Sequence, residues 1–157
     1  MKISIGLTDA GRKAIADSLV KVLADTYALA LKTQNYHWNV TGPSFAQYHA
    51  MFEEQYTALY AAGDEVVERI RTLGHKAPGG LSSFAQLTTI KDGDGQQDVN
   101  AMIKDLVAGR EVADKNCRAA LEVAQKHGDE VTADLMIGKM TDHEKSSWML
   151  RSSLSSA

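Results

Sequence analysis

Apolar residues recur every three to four positions through most of this chain. From about Thr8 to Asn39, Ile15, Leu19, Val22, Thr26 and Leu29 fall on one stripe, a spacing that fits the turn of an α-helix and not the alternation of a strand. Thr8 is the predicted N-cap, since its hydroxyl can accept a hydrogen bond from a free amide of the first turn, and Asp9 places negative charge there. The stretch Thr41-Gly42-Pro43-Ser44 closes this helix and opens the next, because proline, lacking an amide hydrogen, is tolerated in a first turn and not in a helix interior. A second helix is predicted from about Ser44 to Leu73, stopped by Gly74. A third spans about Asp98 to His127 and ends at Gly128, and a fourth spans about Asp129 to Leu154.

The connections set the expected topology. The first and third are tight turns, so each joins antiparallel neighbours. The middle one, Gly74 to Gln97, holds Ala77-Pro78-Gly79-Gly80, a short predicted helix over Ser82–Leu87 and the turn-rich Lys91-Asp92-Gly93-Asp94-Gly95. Such a connection lets the third long helix start at the same end as the second. The fold class is then all-α: a ferritin-like four-helix bundle with one long crossover carrying a short extra helix, in a single domain over 1–157. An up-down bundle with a slack loop is the alternative. It is disfavoured because structureless loops this long are uncommon in compact domains.

Composition narrows the function classes. Of 157 residues, 44% are hydrophobic and both charge signs are mixed, which fits a folded chain that needs no partner to bury a core. The net charge of −3 gives no electrostatic case for nucleic acid and suits small cations. One cysteine, Cys117, leaves no intrachain disulfide, so the cytosol is the expected compartment. Asp9 and Arg12 interrupt any signal-like apolar run, and nothing resembles a membrane span.

Asp92–Asp98 has calcium-loop acids, but counted from Asp92 the sixth position is Gln97 where glycine is needed. The twelfth is Ile103 where a bidentate acid is needed, so a turn capped by Asp98 is the better reading. Diiron bundles commonly use Glu-x-x-His, and here the residues three before the histidines are Gln34, Ala46, Thr72, Ala124 and Met140. A different set remains. His37 and His49 flank Pro43 and come to similar heights on adjoining helices. Glu53 follows His49 by one turn, and Asp64 and Glu68 share a face by the same spacing. Fifteen residues of helix part His49 from Asp64, the nearer acid of that pair, about 22 Å, so one ion cannot join the two groups within one chain.

A second copy resolves this. If the second helix packs antiparallel on its twin about an axis near residue 58 or 59, position 49 meets position 68, and symmetry builds two identical sites. Ala58, Ala61, Ala62 and Gly63 would permit close approach, with Tyr56, Leu59 and Tyr60 adding apolar area. Imidazole and carboxylate ligands together suit iron(II), though zinc or manganese could occupy them. A solvated acidic face is the commoner fate of such carboxylates. His75 and His127 read as surface or capping residues, and His143, between Asp142 and Glu144, as part of a surface charge cluster.

His37-Trp38-Asn39-Val40-Thr41-Gly42-Pro43-Ser44-Phe45-Ala46-Gln47-Tyr48-His49, followed by Asp64-Glu65-Val66-Val67-Glu68-Arg69, resembles the signature of the Dps proteins, the miniferritins. The resemblance runs to the closing His143-Glu144-Lys145-Ser146-Ser147-Trp148-Met149-Leu150. It implies a dodecameric shell with ferroxidase centres at twofold interfaces, each with room for two iron ions and no organic cofactor. By position the catalytic and metal ligands are His37, His49, Glu53, Asp64 and Glu68, with Trp38 beside them. Such proteins oxidise iron(II), usually preferring hydrogen peroxide to oxygen, and store the ferric product as a mineral that limits oxidative damage. Asp129, Glu130 and Asp134 are candidate pore acids, although first-turn acids of a helix explain them equally well. Nucleoid binding and DNA compaction is the alternative function. Some relatives bind DNA through a lysine-rich tail, whereas here only Lys2 precedes the first helix and Ser152–Ala157 carries no charged side chain. Weak or absent DNA binding is therefore expected.

Overall fold

The computed structural model describes residues 3–154; Lys2 and residues 155–157, parts of the two chain ends that bear on DNA binding, lie outside the described residues. Its helices are α1 (Asp9–Asn39), α2 (Phe45–Thr72), α3 (Leu81–Leu87), α4 (Val99–Lys126) and α5 (Glu130–Ser152). No strand occurs among the described residues. The stops and starts are chemical. Thr8 Oγ1 accepts from the Gly11 amide at 3.0 Å, and Asp98 caps α4 by accepting from the Ala101 amide at 2.9 Å. At Gly74, φ is 93°, a left-handed value that suits glycine. There the amides of Gly74 and His75 turn back onto the carbonyls of Arg71 and Ile70. Gly128 closes α4 in the same way. Pro43 lies in the turn before α2 rather than in its first helical turn, and Ser44 makes no side-chain cap.

Three contacts fix the direction of each helix. The end of α1 meets the start of α2 through His37 and His49. The end of α1 also meets the start of α4, where Tyr36 donates to Asp105 at 2.5 Å. The end of α2 meets the start of α5, where Arg69 holds Asp129 at 2.8 Å. So α2 and α4 start at the same end and run parallel, and residues 73–98 must travel the length of the bundle. The crossover is pinned to α1 as it passes. Phe84 of α3 stacks on Tyr27 at 4.7 Å, and buried Asp25 accepts from Thr88 Oγ1 at 2.7 Å, the Thr89 amide at 2.8 Å and Asn116. Each bond to that carboxylate is charge-assisted, and together they tie the end of the crossover to α1 and α4.

The core fills the bundle axis. Ile15, Leu19, Leu23, Val66, Ile70 and Met136 pack toward the Gly74 end, and Leu29, Phe52, Leu59, Ile103, Leu106 and Leu150 toward the Pro43 end. At Gly63 the helices come close enough that a Cβ would stand 2.8 Å from the Tyr27 ring. Cys117 is fully buried, and burial pushes its thiol up to about 12. Its thiolate is the reactive form, so the native protein is expected to leave a thiol-reactive dye unconsumed at pH 8 and to consume one equivalent after denaturation. Rapid native labelling would mean that this region opens. Among the described residues no helix is long and apolar enough to cross a membrane.

Candidate metal centre

His37 occupies the last turn of α1 and His49 the second turn of α2, and the turn through Pro43 folds them together. Their rings stack with centroids 3.7 Å apart and planes 22° from parallel. His37 Nδ1 lies 2.8 Å from the His49 carbonyl, and His49 Nδ1 lies 2.8 Å from the His37 carbonyl. A carbonyl only accepts, so each Nδ1 must carry the proton and donate. Each neutral ring therefore keeps its lone pair on Nε2, the form in which imidazole binds a metal ion. Reciprocal bonding to backbone fixes ring orientation as well as tautomer, the usual task of a metal ligand's outer partners. Tyr56 stands edge-on to His37 at 5.3 Å and Phe45 packs on His49 at 5.0 Å, so aromatic rings flank the pair. Trp38 is 65% exposed beside it.

The acids lie on α2, and Asp64 and Glu68 are not brought to the histidines within the subunit. Glu53 is exposed one turn beyond His49, and Asp64 and Glu68 are exposed about three and four turns beyond Glu53. Among the described residues no three His, Cys, Asp or Glu side chains converge in one chain as a metal cage. The small exposed residues on the acid face are Ala50, Thr57 and Ala61. Leu59 and Gly63, expected to serve a twofold contact, are buried toward the core instead.

The three candidate pore acids separate. Glu130 and Asp134 are exposed, but Asp129 is buried and caps α5, accepting from the Thr132 amide and, through both carboxylate oxygens, from Arg69. Burial raises its carboxyl, and the Arg69 and Thr132 hydrogen bonds more than offset this, holding it below the usual range. That carboxylate is committed inside the subunit. His75 and His127 are half-buried at the ends of α2 and α4. His143 corrects the sequence reading: it is 5% exposed, not part of a surface cluster, while its neighbours Asp142 and Glu144 are exposed. It shares the inward stripe of α5 with Met136, Met140, Ser147 and Leu150. Sequence reading also passed over Arg110 and Gln55, which occupy the equivalent inward stripes of α4 and α2. A polar residue at an apolar repeat position was the available signal.

Residues 16–156 match the ferritin-like domain family. The chain is 39% identical, over 96% of its length and 86% of the relative's, to a low-temperature-induced protein of Nostoc. It is 33% identical, over 90% of its length and 97% of the relative's, to DNA protection during starvation protein 2 of Bacillus anthracis. Among solved structures, the Dps protein of Vibrio cholerae superposes with a TM-score of 0.92 at 34% identity, covering 96% of this chain and 95% of that one. That protein is described as a member of a broad superfamily of ferritin-like diiron-carboxylate proteins.

Proposed function

Because the chain belongs to the ferritin-like family and, within it, to the iron-storing Dps proteins, we propose that it is a ferroxidase that collects its ferric product in a hollow dodecameric shell. The single observation that carries this reading is the histidine pair, whose mutual bonds to backbone leave two adjacent Nε2 lone pairs free. Iron(II) is the substrate. Each centre forms across a twofold contact: His37, His49 and Glu53 come from one subunit, and Asp64 and Glu68 from its partner copy. Imidazoles favour iron(II) on entry, and carboxylates stabilise the higher charge of iron(III). Two iron(II) ions surrender one electron each, and hydrogen peroxide accepts both as its O–O bond breaks and two protons complete two waters. Oxygen is the slower oxidant. Phe45 and Tyr56 pack on the histidines with Trp38 exposed beside them, and Glu130 and Asp134 are the acids available to guide iron through a pore.

The test is an anaerobic iron(II) titration followed by peroxide. The parent is expected to show a rapid rise in near-ultraviolet absorbance, and the double variant His37→Ala, Asp64→Ala to lose it. Equal rates would remove the site. DNA compaction is less favoured: seventeen Lys and Arg face twenty Asp and Glu, so a phosphate backbone meets an acidic surface on average. A gel shift at about 150 mM salt is expected to show no stable complex, and tight binding there would reverse the order of the two readings.

A further inference from the structure

We propose that the cavity between α2, α4 and α5 is a binding site for a small oxyanion, held by Arg110 with Gln55 and Lys139. The cavity measures about 260 Å³, and those three residues and His143 line it. It lies on the α5 side of α2, whereas the histidine pair lies on the α1 side, so it is separate from the proposed iron centre.

Arg110 is 3% exposed on the inward stripe of α4. Among the described residues no carboxylate comes within ion-pair distance of its guanidinium. Its two contacts are neutral: Nη2 donates to Gln55 Oε1 at 3.2 Å and Nη1 to His143 Nδ1 at 3.4 Å. Glu54 and Asp142 border the cavity as exposed carboxylates and make no such contact, although the charge of Asp142 favours the cationic guanidinium from a distance. Burial lowers the basicity of Arg110 to about 10, which leaves it a full cation at neutral pH. Isolated buried cations are among the most costly groups a fold can hold, and they are ordinarily paired.

The unfilled valences share one character. Arg110 Nε and Gln55 Nε2 are buried without partners, and both are donors. Because His143 Nδ1 accepts from Arg110, its Nε2 carries the proton and is a donor too. Lys139, 9% exposed, adds a second buried cation, which it shares with Glu65. A group that only accepts and carries negative charge complements Arg110, Gln55 and Lys139. The forked guanidinium matches the paired oxygens of an oxyanion better than it matches a spherical halide. Water would fill donors without neutralising the charge.

Calorimetric titration of inorganic phosphate into the iron-free, full-length protein, at fixed ionic strength, tests this. One phosphate per subunit is expected, with Arg110→Met weakening binding at least about tenfold and Gln55→Leu weakening it by less. The Met variant removes an uncompensated charge and is expected to fold. His37→Ala is expected to bind phosphate as the parent does, which separates failure here from failure of the iron centre. An absence of binding, equal affinity in Arg110→Met, or equal affinity for chloride would overturn the proposal. If Arg110→Met does not assemble, anomalous scattering from selenate in crystals of the parent decides: density beside Arg110 supports the site, and an empty cavity refutes it.

Discussion

Co-assembling His37→Ala subunits with Asp64→Ala subunits is expected to restore about a quarter of the parent's iron oxidation, although each variant alone falls at least about 100-fold. The figure follows from twofold symmetry. Random pairing makes half the dimers mixed. In a mixed dimer, one site receives the altered histidine set and the altered acids together and is dead. The other receives His37, His49 and Glu53 from the Asp64→Ala copy, and Asp64 and Glu68 from the His37→Ala copy, so every ligand is present. A site completed inside one chain gives a different result, since mixing two inactive proteins then yields no activity at any ratio. The readout is the initial rate of absorbance rise after peroxide is added to anaerobic, iron(II)-loaded protein. The effect is large because a missing first ligand removes both affinity and positioning. It also isolates the claim that matters, that the acids belong to a neighbour, from the weaker claim that the acids matter.

Helix existence, order and direction were legible because each rests on local chemistry. The four long stripes, the Thr8 and Asp98 caps and the stops at Gly74 and Gly128 stand where periodicity and capping rules put them. The crossover was legible from length alone, since residues 73–98 are too many for a turn. What held it was not: the Asp25 bonds to Thr88, Thr89 and Asn116 join positions sixty to ninety residues apart, and no local pattern marks them. The histidine pair was legible from its symmetry about Pro43, but its tautomer needed coordinates, because backbone carbonyls set it. His143 was misread because its sequence neighbours are charged. On a helix the relevant neighbours stand three and four residues away, and by that measure Met140, Ser147 and Met136 place it inward. The same correction recovers Arg110, between Leu106 and Ala113, and Gln55, between Phe52 and Leu59.

That inward placement makes His143 the residue expected to dominate acid sensitivity. Burial lowers its basicity most, the facing Arg110 of α4 and Lys139 of α5 lower it further, and it titrates at about 3. In the unfolded chain the same ring titrates near 6.5. A group whose folded value is depressed contributes stability that is fully present above the unfolded value. It is lost as pH falls from about 6.5 toward 3, because only the unfolded chain takes up the proton. By pH 4.5 the loss is about 2–3 kcal/mol per subunit, or roughly 5–10 °C in Tm. Asp129 adds little between pH 7 and 4.5, because it is ionised in both states there; Arg69 and Thr132 hold its folded value below the usual range, so its own contribution is lost only at more acidic pH. His143→Gln keeps an acceptor for Arg110 and removes the titration. Thermal midpoints at pH 7 and pH 4.5 are therefore expected to separate widely in the parent and far less in the variant. Parallel losses in the two proteins would mean that the ring reaches water before the fold gives way, and that the Arg110–His143 contact opens on its own.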